Sequence, residues 1–220
     1  MWKQKIYQKC ESKKPKYLVI LLHGYGSNGE NLIELADFFI HNGLKDAFYV
    51  APNAIEPWEG GFPDAFQWFS LANGMHRKAL DDMAENIRNS NKVLNEFIDE
   101  KLEQLGLTRK NLIIIGFSQG CMMGLYQSLA SKEKIAGIIG FSGRLILPED
   151  LNEQTNSKPE ICLIHGVDDS VVDFENFLNA KEILEQQGFL LEAHALENLD
   201  HSIDMRGINL ASEFIKKITK

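Results

Sequence analysis

The sequence predicts an α/β fold: a mostly parallel central sheet with helices on both faces. Three observations predict it. Short β-branched apolar runs recur along the chain. Amphipathic segments of helical period separate them. The runs are apolar at nearly every position, the mark of strands buried on both faces. Alternation of this kind builds βαβ units, and their active sites gather at the carboxyl ends of the strands.

The strands are expected at Tyr17–Leu22 (YLVILL), Ala47–Ala51, Leu112–Phe117 (LIIIGF), Ile135–Phe141 and Glu160–His165 (EICLIH), with a further candidate at Phe189–Leu196. KIYQK near the N-terminus reads as an edge strand. Between them, Leu80, Met83, Ala84, Ile87, Leu94, Phe97, Ile98, Leu102 and Leu105 recur mostly at helical spacing and give one long helix ending near Gly106. Shorter helices are expected at Glu30–His41, Gln119–Ala130, Glu175–Gln187 and Met205–Ile218, with Gly188 placed as a helix C-cap.

The chain has 220 residues, 44% apolar and 25% charged, and no repeat or linker stands out, so a single domain over residues 1–220 is expected. A formal net charge of −8 argues against work on a nucleic-acid backbone or an anionic lipid surface. No run approaches a membrane span, and no signal peptide is expected at MWKQKIYQKC. Three widely spaced cysteines, Cys10, Cys121 and Cys162, suggest reduced thiols in a cytoplasmic protein.

One stretch carries chemistry. Gly116-Phe117-Ser118-Gln119-Gly120 fits G-x-S-x-G, with an apolar strand before it and a helix after it. A serine on so sharp a turn projects its hydroxyl above the sheet. The glycines two residues to either side are needed because neighbouring backbone comes close there. The chain supplies its own contrast: Ser142 in GFSGR also follows a strand, but its glycine spacing is wrong, and it reads as structural.

A serine hydroxyl needs a base, and the base needs an orienting acid. The order expected after the serine is acid, then histidine. Asp168 and Asp169 both lie just past a strand end and either could serve. Of the later histidines, His165 ends a strand and His194 lies inside one, whereas His201 lies on a loop after the last strand. His201 is therefore the candidate base, since an imidazole titrates close to neutral pH. The oxyanion hole is expected from the amide of Gln119 and that of Tyr25 in the loop HGYGSNGEN. His23 reads as a shaper of that loop. The loop lacks the Lys-Ser/Thr ending of a phosphate-binding loop, and no G-x-G-x-x-G fits a dinucleotide site.

The segments LLHGYGSNGENL, APNAIEPW, QWFSL, IIIGFSQGCMMGL, GIIGFSGRL, CLIHGVDDSVV and DHSID, in this order, resemble the phospholipase/carboxylesterase family of α/β-hydrolases, which includes the acyl-protein thioesterases. The resemblance implies an α/β-hydrolase fold and carries roles by residue. Ser118 matches the nucleophile, Asp169 the acid, His201 the base, and Tyr25 and Gln119 the oxyanion amides. It implies a serine hydrolase of small and medium acyl esters, lysophospholipids or acyl thioesters, with no metal or organic cofactor. It adds a homodimer as an expectation. Three positions depart from the family's pattern: Cys121 after the elbow glycine, Asp173 where proline is frequent, and Asp200 where glycine is frequent before the base. Asp173 can cap the following helix, and aspartate tolerates left-handed backbone.

The segment from Pro52 to Met75 is rich in aromatics and too short for a large lid. Trp58, Phe62 and Phe66 are candidate walls of an acyl groove. Trp68 is a further candidate, beside a competing reading of it and Phe69 as core. An open, shallow site favours short to medium chains. A non-catalytic binding protein on the same fold and a small serine peptidase stand as alternatives.

Overall fold

In the computed structural model, residues 2–71, 77–147 and 157–220 are described, with the side chains of residues 77–84 left aside. The last part of the aromatic segment, residues 72–76, therefore lies outside the described residues, as do the side chains of Leu80, Met83 and Ala84.

Seven strands form one sheet: β1 (Ile6–Cys10), β2 (Tyr17–Leu22), β3 (Ala47–Pro52), β6 (Leu112–Phe117), β7 (Gly137–Phe141), β8 (Glu160–Gly166) and β9 (Leu191–Leu196). A two-stranded ribbon, β4 (Glu56–Pro57) with β5 (Phe66–Gln67), stands apart from it. The order across the sheet is β1-β3-β2-β6-β7-β8-β9. β1 runs antiparallel to β3 and every other pair is parallel.

The strands are apolar throughout because both faces are covered. On β2, Leu18, Ile20 and Leu22 join one core, while Val19 and Leu21 join the other. The first core is closed by α3 (Arg77–Leu105), α4 (Gln119–Ala130) and α5 (Glu175–Gln186), through residues such as Ile87, Leu94, Met123 and Leu184. The second is closed by α1 (Gly29–Ile33), α2 (Leu35–His41) and α6 (Met205–Ile218), through Leu32, Phe39, Ile208 and Phe214. Full burial of each such side chain is worth about 1.5–3 kcal/mol.

The helix boundaries follow local chemistry. The Asn28 side chain accepts the Asn31 amide at the start of α1, and Asp204 accepts the Gly207 amide at the start of α6. Gly106 and Gly188 end α3 and α5 at φ 64° and 71°, left-handed angles that a residue without Cβ adopts at low cost. The helix expected over Glu30–His41 is divided at Glu34, whose amide bonds Leu32 O rather than a carbonyl one full turn back. Among the described residues no helix is long and apolar enough to cross a membrane.

Candidate active site

The elbow is built by close approach. Ser118 sits between β6 and α4 at φ 54° and ψ −117°, a left-handed conformation that costs a non-glycine residue energy. The surrounding backbone fixes it: the Ser118 amide donates to Phe141 O at 2.9 Å, extending the β6–β7 ladder, and Ser118 O accepts the Met122 amide. A Cβ on Gly120 would lie 1.9 Å from Leu22 O, and one on Gly116 would lie 2.3 Å from Gly120 O. Both glycines of the pentapeptide are thus required by backbone contact. At Gly124, an added Cβ would meet the Ile114 side chain at 2.9 Å, so α4 lies close on the sheet.

Ser142 also has positive φ, at 46°, and its amide continues the β7–β8 ladder to Ile164 O. Residues 143–147, the described part of the segment that follows, hold no helix, and the Ser142 side chain is buried. It packs beneath the elbow, where a Cβ on Gly143 would meet Cys121 Sγ at 2.4 Å and Ser118 O at 3.1 Å. Cys121 fills this space. Burial pushes its thiol up to about 12, which keeps it protonated and unreactive.

The loops after β8 and β9 bring an acid to an imidazole. Asp169 Oδ2 lies 2.8 Å from His201 Nδ1. The other carboxylate oxygen accepts the amides of Val171 at 3.0 Å and Val172 at 2.8 Å. Burial works against the Asp169 charge, but the His201 contact and the two amides outweigh it and hold the carboxyl below its ordinary range. Asp168 is exposed and makes no contact of this kind; its amide bonds Leu199 O. The His201 ring lies 4.8 Å from that of Phe117, centroid to centroid, which sets the base over the residue preceding the serine. His194 stays within β9, opposite Ile164.

The loop after β2 abuts the elbow. A Cβ on Gly24 would lie 3.2 Å from the Phe117 ring and 3.4 Å from Ser118 Cβ, so Tyr25 follows directly beside the serine. Gln119 opens α4, where a backbone N–H has no acceptor within the helix. His23 shapes the loop from below. Its Nε2 accepts the Ala54 amide at 2.9 Å, so its hydrogen is on Nδ1, 2.8 Å from Gly24 O. Burial lowers its pKa to about 4, leaving it neutral.

The aromatic segment divides in two. Trp68 is fully buried, and its indole N–H donates to His23 O at 2.8 Å. This corrects its expected place in a groove wall: Trp68 braces the loop from inside the core, as Phe69 packs there with it. Phe62 is 69% exposed and stacks on Trp58, with ring centroids 5.6 Å apart. Trp58 in turn meets the Tyr25 ring edge-on at 5.8 Å. Phe66 is half-buried in β5, whose backbone takes up the loop: the Gly26 amide donates to Phe66 O, and the Phe66 amide to Ser27 O. The ribbon β4–β5 thus joins this aromatic segment to the loop after β2.

Four further side chains support the site. The Gln119 side chain accepts the Trp68 amide and donates to Phe69 O at 2.7 Å, tying the elbow to the aromatic segment. Glu59 accepts the Tyr25 hydroxyl, the Ser70 hydroxyl and the Leu71 amide. Burial and the Glu59 carboxylate push the Tyr25 hydroxyl up to about 12. Asp200 is not left-handed; its side chain instead accepts from Ser170 and from the His201 amide. His165 contacts Asp169. Gln119, His165 and Asp200 lie within the motifs, whose pattern gives no sign of these contacts, and Glu59 lies outside every motif. Asp173 does what its residue type suggested, accepting the Glu175 amide at the start of α5.

A parallel sheet with a strained serine between strand and helix, and an Asp–His pair on the two following loops, defines an α/β-hydrolase. The sequence profile of the phospholipase/carboxylesterase family matches residues 5–219, and the chain belongs to that family. It is 30% identical to the Esterase YpfH of Escherichia coli over 210 residues, covering 93% of this chain and 84% of the relative. It is 27% identical to Acyl-protein thioesterase 1 of Kluyveromyces lactis, covering 96% and 95%. Among solved structures, esterase PE8 superposes with a TM-score of 0.86 at 35% identity, covering 98% of both chains. The protein is a serine hydrolase of carboxylic acyl esters.

Proposed function

We propose that the chain, acting as one domain over residues 1–220, cleaves short to medium acyl esters by two-step acyl transfer at Ser118. The observation that carries this reading is the 2.8 Å contact of His201 Nδ1 with Asp169, made beside a serine at φ 54°. His201 Nε2 takes the Ser118 proton as Oγ attacks the carbonyl carbon. Asp169 holds the imidazole in that tautomer and offsets the charge of the imidazolium. The amides of Tyr25 and Gln119 receive the oxyanion, each worth about 10²–10³ in rate. The tetrahedral intermediate collapses, and the leaving alcohol takes the proton from His201. Water then attacks the acyl-enzyme with His201 again as base, releasing the acid and free Ser118.

Trp58 and Phe62 form the aromatic side of the acyl groove, on the strength of their stack beside Tyr25, and Phe66 joins them from β5, whose backbone bonds Gly26 and Ser27. Acyl thioesters fit the same machinery, because a thiolate leaves without altering the roles above; the resemblance to a thioesterase supports including them. A cytoplasmic location accords with three unpaired cysteines. The homodimer follows the family's habit, and light scattering on the eluted protein tests it.

Ser118→Ala tests the core of the reading. The variant is expected to keep its fold, lose nearly all esterase activity and escape labelling by a fluorophosphonate. Turnover like that of the unaltered protein would reject Ser118 as nucleophile. A series of nitrophenyl esters tests the groove: activity is expected to peak at short to medium chains, and a peak at long chains would overturn that part.

A further inference from the structure

His165 closes β8 and has no part in the proton transfers above. Its side chain is 2% exposed and lies under the rings of Phe174 and Phe177, with centroids at 6.1 and 5.9 Å. Its Nε2 lies 2.8 Å from Val172 O and 3.2 Å from Asp169 Oδ2. A carbonyl oxygen cannot donate and an ionised carboxylate cannot donate, so Nε2 must bear the hydrogen and share it between the two. The carboxylate oxygen it reaches is the one that accepts from His201 Nδ1.

We propose that His165 is a positioning residue for the triad acid: a second imidazole N–H on the very oxygen of Asp169 that orients His201. The proposal rests on the triad reading above. The Val171 and Val172 amides fix one carboxylate oxygen, and His165 fixes the other from behind, so that only the direction toward His201 stays open. The added donor also draws off part of the carboxylate charge and so moderates its pull on the imidazolium. The charged and titratable groups facing His165 are Asp169, His201 and Asp173. Burial lowers the pKa of His165, which keeps it neutral with its one hydrogen on Nε2.

Loss of this donor leaves Asp169 less constrained and more strongly charged toward His201. The consequence is a lower kcat with KM nearly unchanged, since His165 touches no substrate, and an acid limb of kcat/KM moved to higher pH. The experiment compares the full chain with His165→Leu, which keeps volume without a donor, and His165→Gln, which returns an N–H. His165→Leu is expected to lose about tenfold in kcat and to shift the acid limb upward. His165→Gln is expected to recover most of both. An unchanged kcat and acid limb in His165→Leu would overturn the proposal, as would equal losses in the two variants.

Should His165→Leu not fold, the unaltered protein with ¹⁵N-labelled imidazoles still decides. Nε2 of His165 is expected to hold its hydrogen throughout, and its resonance to move as His201 titrates. A hydrogen on Nδ1 instead, or a resonance indifferent to His201, would sink the idea. Ser118→Ala runs alongside: an active Ser118→Ala removes the triad reading itself, whereas an inactive one beside a normal His165→Leu removes only the role of His165.

Discussion

Asp200 Oδ1 lies 2.8 Å from the Ser170 amide and 2.9 Å from the Ser170 hydroxyl, and the same oxygen accepts the His201 amide at 2.8 Å. One carboxylate oxygen therefore ties the residue after the acid to the base itself. The position where the family frequently has glycine carries a clamp between two catalytic loops.

Asp200→Gly is expected to keep the fold and lose activity on the order of tenfold, less than the 10²-fold that a full misplacement of a catalytic group can cost. Asp200→Asn keeps an acceptor and is expected to stay close to normal. The Ser170 and His201 contacts hold the Asp200 carboxyl below its ordinary range. A depressed acid stabilises the fold above its unfolded pKa, about 3.9. That contribution fades as pH falls through the folded value, so the clamp is intact across the working range. Steady-state kcat/KM for both variants at neutral pH checks this; equal activity of the two would reject the clamp.

His23 makes the fold sensitive to acid. It accepts the Ala54 amide, and a protonated imidazole cannot. Its pKa falls from 6.5 to about 4, so as pH drops the unfolded chain takes up this proton first. Stability is lost from about pH 6.5 down to about pH 4 and levels off below, with about 3 kcal/mol at stake. Urea unfolding at a series of pH values should show this slope and a flatter one in His23→Gln. Parallel profiles would contradict the assignment.

Two glycines separate packing from backbone strain. In Gly120→Ala the new Cβ would press on Leu22 O and His23 O, at 1.9 and 2.6 Å, in a central strand that cannot retreat. A loss of about 3 kcal/mol or more is expected, with activity abolished. In Gly188→Ala the nearest atom is Lys158 Nζ at 3.5 Å, and the cost is that of a left-handed angle alone, about 1 kcal/mol, with activity retained. Denaturation midpoints decide, and equal losses would refute the distinction.

The cysteines should differ in reactivity. Burial pushes Cys121 and Cys162 up to about 12, while Cys10 is exposed. Brief treatment of the native protein with iodoacetamide is expected to modify Cys10 alone and to spare esterase activity. Peptide mass mapping reads the outcome; modification of Cys121 without unfolding would overturn the view of it as inert packing.

The strands at Tyr17–Leu22 and Leu112–Phe117 and the helices at Gln119–Ala130 and Met205–Ile218 were legible because burial on both faces, or on one stripe, writes a period into the residues themselves. The elbow was legible for a steric reason: glycine at Gly116 and Gly120 is the residue type that backbone contact permits. The ribbon β4–β5 was not legible, since two-residue strands have no period to read. Trp68 was ambiguous because an indole suits a groove wall or a core equally well by type. Its burial and its bond to His23 O depend on where β2 and the elbow helix lie.

The sequence by itself determined the alternation of strands and helices, the serine's turn and the order of its partners, all of which are local in the chain or fixed by type and spacing. The resemblance had already matched Asp169, rather than Asp168, to the acid; it took the packed fold to reveal that Asp169 is buried against His201, that Trp68 braces a loop, and that His165 from β8 and Asp200 from the loop after β9 hold the acid and the base. The Asp169–His201 and Trp68–His23 contacts join residues 32 and 45 positions apart, and no pattern along the chain records them, because a hydrogen bond between separate elements depends on where each strand ends in space.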